Sequence, residues 1–171
     1  MWAPVIAFAM VGVLALILAG LCAWLVLFAV QGSAAAPGRT PTEQKAAAYA
    51  DITRAAKAET LAFLAVDYTN MDELTKRVLS GATGTFKTQY STSLKALKSA
   101  ATSQKSVSKG SIDQVGLSEV DSDSATVFVA AASKVKNTGT KGKFQDRSWR
   151  IKLTMSKQGG DWLVSQLEFV S

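Results

Sequence analysis

Few residues in this chain can do acid–base chemistry, and one adjacent pair stands out: Asp67 followed by Tyr68, where a long Ala-rich segment ends. A carboxylate beside a phenol can move a proton if its pKa is displaced and a substrate comes within hydrogen-bond reach. The plainer alternative is that Asp67 bonds backbone at a helix end while Tyr68 packs. Trp149 and Trp162 are the other candidates, as large core residues or as walls of a cavity for an apolar ligand such as a lipid tail. Asp67, Tyr68, Trp149 and Trp162 are therefore the possible cavity residues. The 171 residues include no histidine, which removes the commonest general base, the commonest metal ligand and the Ser-His and Cys-His nucleophile pairs. The one cysteine, Cys22, lies in an apolar run. It can form no disulfide within the chain, and a small lipid- or helix-facing residue is a simpler reading than lipidation or redox chemistry. Glycine-rich phosphate loops, paired metal ligands and nucleophile elbows are absent from the sequence. The expectation is a protein that is not an enzyme, with no catalytic, cofactor-binding or metal-binding residues.

The elements that would position these side chains divide at the first charge. Every charged residue lies at or after Arg39, and Trp2 to Val30 reads WAPVIAFAMVGVLALILAGLCAWLVLFAV. About twenty apolar residues in a helix cross a hydrocarbon core, and a lone strand would leave its backbone unpaired in lipid. Residues 1–31 are thus expected to be a transmembrane anchor. Ala34-Ala35-Ala36 offers a signal-peptidase pattern, but the apolar run is about twice a usual signal core, no Lys or Arg precedes it, and Pro37 would follow the cut. Retention is the expectation. Gly12, Ala15, Ala19 and Ala23 form a stripe of small residues that would let a second transmembrane helix approach closely. Arg39 and Lys45 come just after the span and, by the positive-inside rule alone, would place the C-terminal domain in the cytoplasm.

Residues 32–40 read as a linker and 41–171 as one α+β domain. Thr40-Pro41-Thr42-Glu43 is a capping box opening a helix to about Val66; Asn70 and Glu73 are a second, opening a short helix ended by Ser80-Gly81. A third helix covers Thr83 to Thr102, with Phe86, Tyr90, Leu94 and Leu97 as one buried stripe. After Lys105 the period becomes two. Strands are expected over Val107–Val120, with an irregularity at Gly110, then Ala125–Val135, a third through Trp149–Met155, and a last through Trp162–Val170. Helices followed by strands predict a roll of about three helices packed on a curved antiparallel sheet of about four strands.

Two stretches are strongly basic. Lys76, Arg77, Lys87, Lys95, Lys98, Lys105 and Lys109 run without an acidic residue, and Lys134, Lys136, Lys141, Lys143, Arg147, Arg150 and Lys152 are interrupted only by Asp146. Mostly lysines with no interleaved pattern of exposed aromatics, and with no recognised nucleic-acid motif, they give little support to nucleic-acid binding. Anionic headgroups, an acidic partner or plain solvation fit better.

With these segments in order, residues 41–170 resemble the Mce-associated membrane proteins of actinobacteria, which share the nuclear transport factor 2-like fold. The features that carry the resemblance are the apolar head, the Ala-rich helix ending in Asp67-Tyr68, Met71-Asp72-Glu73-Leu74, and the Gly-Thr-Phe-Lys-x-x-Tyr segment from Gly84 to Tyr90. The Asp121-Ser122-Asp123 turn and the closing Asp161-Trp162-Leu163-Val164-Ser165-x-Leu167 complete it. The resemblance implies a single-pass accessory subunit in the plasma membrane, its C-terminal domain extracytoplasmic, that stabilises or assembles an Mce-type lipid transporter. Its expected partners are the membrane and other membrane-protein subunits of a lipid-transport complex. The residues before the apolar head include none of the basic cytoplasmic tail common in that family. The same architecture is similar to inner-membrane assembly subunits of conjugative secretion systems, which gives one alternative; an anchored lipid- or small-ligand-binding domain is the other.

Overall fold

The computed structural model describes residues 40–170. The expected anchor, its small-residue stripe Gly12, Ala15, Ala19 and Ala23, and all of the linker but its last residue lie outside the described residues. Among the described residues, no helix is long and apolar enough to cross a membrane. The chain divides into two units, Met1–Glu43 and Gln44–Ser171.

Helix α1 (Pro41–Leu64) opens on the expected capping box: the Thr40 N–H donates to the Glu43 carboxylate at 2.7 Å, and the Glu43 N–H donates to Thr40 Oγ1 at 3.2 Å. Its buried stripe is Ile52, Ala56, Thr60 and Leu64, four residues apart. Ala56 and Thr60 are small, and the Thr60 hydroxyl donates back to the Ala56 carbonyl at 2.8 Å, so the helix presents a low, satisfied surface to its neighbours.

The helix stops two residues before the expected Val66. Val66–Asp67 instead form a short strand, β1, antiparallel to Ser108 and Val107. Asp67 accepts from the N–H and hydroxyl of Thr69, which turns the chain there. The sheet consequently has five strands where about four were expected. Helix α2 (Met71–Gly81) begins where predicted but lacks a reciprocal box: Asn70 makes no side-chain cap, and its amide donates to the Glu73 carboxylate at 2.8 Å. Helix α3 (Gly84–Gln104) ends on Lys105 in the left-handed region, with the Ser106 N–H returning to the Ala101 carbonyl.

Strands β2 (Val107–Val120), β3 (Ser124–Lys136), β4 (Gln145–Gln158) and β5 (Asp161–Phe169) continue from β1 as an antiparallel meander in sequence order. Gln158 pairs with Asp161 across Gly159-Gly160, both at positive φ, a two-residue hairpin turn that glycine suits. One face of the sheet carries the core: Val127, Val129 and Ala131 of β3, Ile151, Leu153 and Met155 of β4, and Trp162 and Val164 of β5, packed with Ile52, Val78 and Phe86 from the helices.

The expected irregularity at Gly110 falls elsewhere. Register shifts occur between Ile112 and Gln114, between Leu117 and Glu119, and opposite Thr154/Met155, where β5 passes from Val164 to Gln166. The apolar positions explain each one. Ile112 to Val115, Leu117 to Val120 and Val164 to Leu167 are all three residues apart, and a strand keeps such pairs on one face only by inserting a bulge residue. Gly110 answers to something different: a Cβ there would lie 2.9 Å from Leu64 Cβ and 3.2 Å from Leu64 Cδ1. Its backbone conformation suits alanine, so Gly110→Ala would restrict the unfolded chain and gain about 0.4–1 kcal/mol. The clash is with a Cβ fixed to the last turn of α1, and overpacking of this kind costs about 1–3 kcal/mol. The clash wins, and the urea midpoint of Gly110→Ala is expected to fall by an amount equivalent to roughly 1 kcal/mol.

Candidate functional site

Two concavities contain the unusual chemistry. The first is an apolar cavity of about 500 Å³ between the end of α1, helix α3 and one end of the sheet, within the range of small-molecule sites. Phe63, Tyr90, Leu97, Trp149 and Phe169 line it. Phe63 lies 6.3 Å from Tyr90 and 6.1 Å from Phe169, and Trp149 lies 5.4 Å from Phe169, all tilted contacts between ring centroids. Trp149 Nε1 donates to Ser133 Oγ at 2.9 Å, which orients the indole and satisfies a hydroxyl only 2% exposed.

This cavity corrects one expectation. Of the α3 stripe, Phe86 alone is buried; Tyr90 and Leu94 are half-buried and Leu97 is 39% exposed. Tyr90 and Leu97 both line the cavity, Tyr90 while also packing against the core.

The second concavity is a groove of about 510 Å³ along α1, the end of α2 and the β4–β5 turn, lined by Glu59, Gly81, Asp161 and Trp162 among others. Glu59 is 4% exposed, and its Oε1 is sealed from water with no hydrogen-bond partner. Burial pushes its pKa up to about 8, leaving it mostly protonated at neutral pH. A Cβ on Gly81 would stand 2.0 Å from Glu59 Oε2, so the glycine makes room for the carboxyl. Burial, and then the charge of Glu59, push the Tyr90 phenol up as well. Lys157 Nζ lies 5.8 Å from the centre of the Trp162 ring.

The four expected cavity residues are not brought together. Trp149 lines the apolar cavity and Trp162 the groove, while Asp67 and Tyr68 line neither. Asp67 is occupied by its turn: bonds from the Thr69 hydroxyl and N–H hold its carboxyl below the usual range, with some help from the charge of Lys136. Glu59 was missed by the sequence reading. The available signal was its position seven residues after Ile52, hence on the same helix face.

Several cations of the two basic stretches are paired. Arg77 bonds Glu73, Lys98 bonds Asp72, Lys134 bonds Asp146, and Lys152 bonds Glu168. Among the described residues no group of three or more His, Cys, Asp or Glu could hold a metal ion.

A five-stranded antiparallel meander with three helices and an apolar cavity at one end places the described domain in the nuclear transport factor 2-like fold class. Solved structures of this fold agree with it. An IcmL-like type IV secretion system protein of Legionella pneumophila superposes with a TM-score of 0.58 at 14% identity, covering 71% of this chain and 91% of that one. The periplasmic domain of DotI gives 0.56 at 10% identity, covering 79% and 98%. At these identities the likeness is one of fold. The chain itself belongs to the family described as "Uncharacterized protein Rv1363c/MT1408-like", whose model matches residues 3–171. It is 30% identical over 131 residues to Rv1363c of Mycobacterium tuberculosis strain H37Rv, covering 77% of this chain and 49% of the relative. The chain thus spans about half the length of the relative it matches.

Proposed function

We propose that this protein is a single-pass, membrane-anchored accessory subunit that stabilises or assembles a larger membrane complex, with its folded domain extracytoplasmic and no reaction of its own. The observation that carries this reading is the joining of an uncharged apolar head, residues 2–30, to a fold seen in a type IV secretion protein and in a periplasmic domain. Those neighbours favour an assembly role of the secretion type over the Mce-type lipid transporter that the sequence resembles. The occupied Asp67 supports a protein that works through contact surfaces.

A tagged full chain extracted in mild detergent is expected to bring down other membrane subunits in stoichiometric amounts, and their identity separates a secretion-type machine from a lipid transporter. Recovery of the chain alone would sink the proposal. The apolar cavity favours a second reading, an anchored lipid-binding domain: lipid held by a chain that purifies without partners would replace the first reading with this one. Orientation has its own check, since protease added to spheroplasts should trim the domain if it faces outward.

A further inference from the structure

The groove beside Glu59 plays no part in the assembly role as proposed, yet it contains the most costly group in the described domain. A buried carboxyl without a partner is unfavourable in either protonation state, and a glutamine or leucine would avoid the charge altogether. Gly81 keeps the space for it, because any side chain there would displace the carboxyl. No cation bonds it, although Arg54 and Arg77 line the same groove. The carbonyl end of α2, which closes at Gly81, carries the negative pole of that helix. The Trp162 ring forms a wall and already attracts one ammonium, that of Lys157.

Charged groups on every element around the groove can be accounted for. On α1, Asp51 and Arg54 bond each other at 2.8 Å; on α2, Arg77 is tied to Glu73 at 2.9 Å. Tyr90 of α3 stays a neutral phenol, and Asp161 of β5 has no ion-pair partner among the described residues. The two arginines at the groove are therefore offset by their own carboxylates and Lys157 lies over the Trp162 ring, which leaves Glu59 and Asp161 without an ion-pair partner among the described residues.

We propose that this groove is a socket for a basic side chain, an arginine above all, presented by a protein partner in the assembled complex, with Glu59 as its counter-ion and Trp162 as its stacking wall. The proposal rests on the assembly reading and names a contact for it. A guanidinium is planar, stacks on indole and offers several donors at once, to the carboxylate and to backbone carbonyls at the end of α2. Its arrival supplies the charge that ionises Glu59, so binding at neutral pH releases the carboxyl proton to solvent.

The test titrates the full chain in detergent with the peptide acetyl-Gly-Arg-Gly-amide, by calorimetry at pH 7 in two buffers of different ionisation heat. Saturable binding with release of about one proton per peptide is expected, weakened at least ~10-fold by Glu59→Gln and by replacing the peptide's arginine with norleucine. Absence of binding, binding without proton release, or equal binding by Glu59→Gln overturns the socket. Glu59→Gln should also lower the recovery of co-purifying subunits several-fold while the chain stays folded. Undiminished recovery would leave the assembly reading standing and remove the socket; recovery of no partner even by the unaltered chain removes the assembly reading itself.

Discussion

Raising the pH from about 5 to about 9 is expected to weaken this fold, the reverse of ordinary acid unfolding, and Glu59→Gln is expected to abolish most of the loss. In the unfolded chain the Glu59 carboxyl ionises near its ordinary 4.5, and in the folded protein near about 8. Between those two values the folded state holds a proton that the unfolded state has released. Stability associated with this group is therefore full below about 4.5 and is lost as the pH rises through about 8. At about 1.4 kcal/mol per pH unit the gap corresponds to on the order of 5 kcal/mol, of which roughly 4 kcal/mol falls between pH 5 and 9, a fall of roughly 10–15 °C in melting temperature for a domain of this size. The other shifted carboxylates act in a different window. Glu43, Asp67, Asp72 and Glu73 are all held below their ordinary values by hydrogen bonds, helped by nearby cations at all but Glu43, so what they contribute is lost only as the pH falls through the acid range. Melting of the full chain in detergent, followed by near-ultraviolet circular dichroism at pH 5, 7 and 9, reads the slope. A flat profile in the unaltered protein, or the same slope in Glu59→Gln, would show that the carboxyl is not buried as described.

Much of the sheet was legible because strands must alternate and turns need particular residues. The Asp121 turn falls where the sequence places it, and Gly159-Gly160 turns the chain between the last two expected strands. The bulges were legible too, in the three-residue apolar spacings, but the visible glycine at Gly110 drew the irregularity to itself. A glycine inside a strand signals either a bulge or a close approach, and only the position of Leu64 decides between them. The end of α1 was hidden for a related reason. Val66 fits a helical pattern as well as a strand, and it takes strand pairing because β2, forty residues later, offers it an edge.

The site was less legible than the fold, since it depends on what the elements leave empty. Periodicity identifies the α3 face bearing Tyr90 and Leu97, but it cannot distinguish a face against a core from a face against a cavity. Glu59 illustrates the opposite difficulty. In an Ala-rich helix with charges on most turns, one more glutamate reads as solvated, although its seven-residue spacing from Ile52 puts it on the buried side. Asp67 and Tyr68 drew attention by chemistry alone, and the Thr69 turn uses up the carboxylate.

Trp149→Ala is expected to cost about 3–5 kcal/mol, because it removes a wall of the apolar cavity and unpairs Ser133 at once. The two contributions can be separated. Trp149→Phe keeps an aromatic ring against Phe169 but deletes the Nε1 donor, leaving the Ser133 hydroxyl, 2% exposed, without that bond. An abandoned buried hydroxyl costs about 1–3 kcal/mol, whereas removal of both partners is close to neutral. Ser133→Ala added to Trp149→Phe should therefore recover most of what Trp149→Phe loses, giving a favourable coupling of about 1 kcal/mol in the double-mutant cycle. Urea unfolding followed by near-ultraviolet circular dichroism measures all four proteins. Additive losses across the cycle would mean that the indole is held by ring packing alone. A loss in Trp149→Ala below about 1 kcal/mol would mean that the cavity has no firm wall, and the lipid-binding reading, which needs a preformed apolar site, would fall with it.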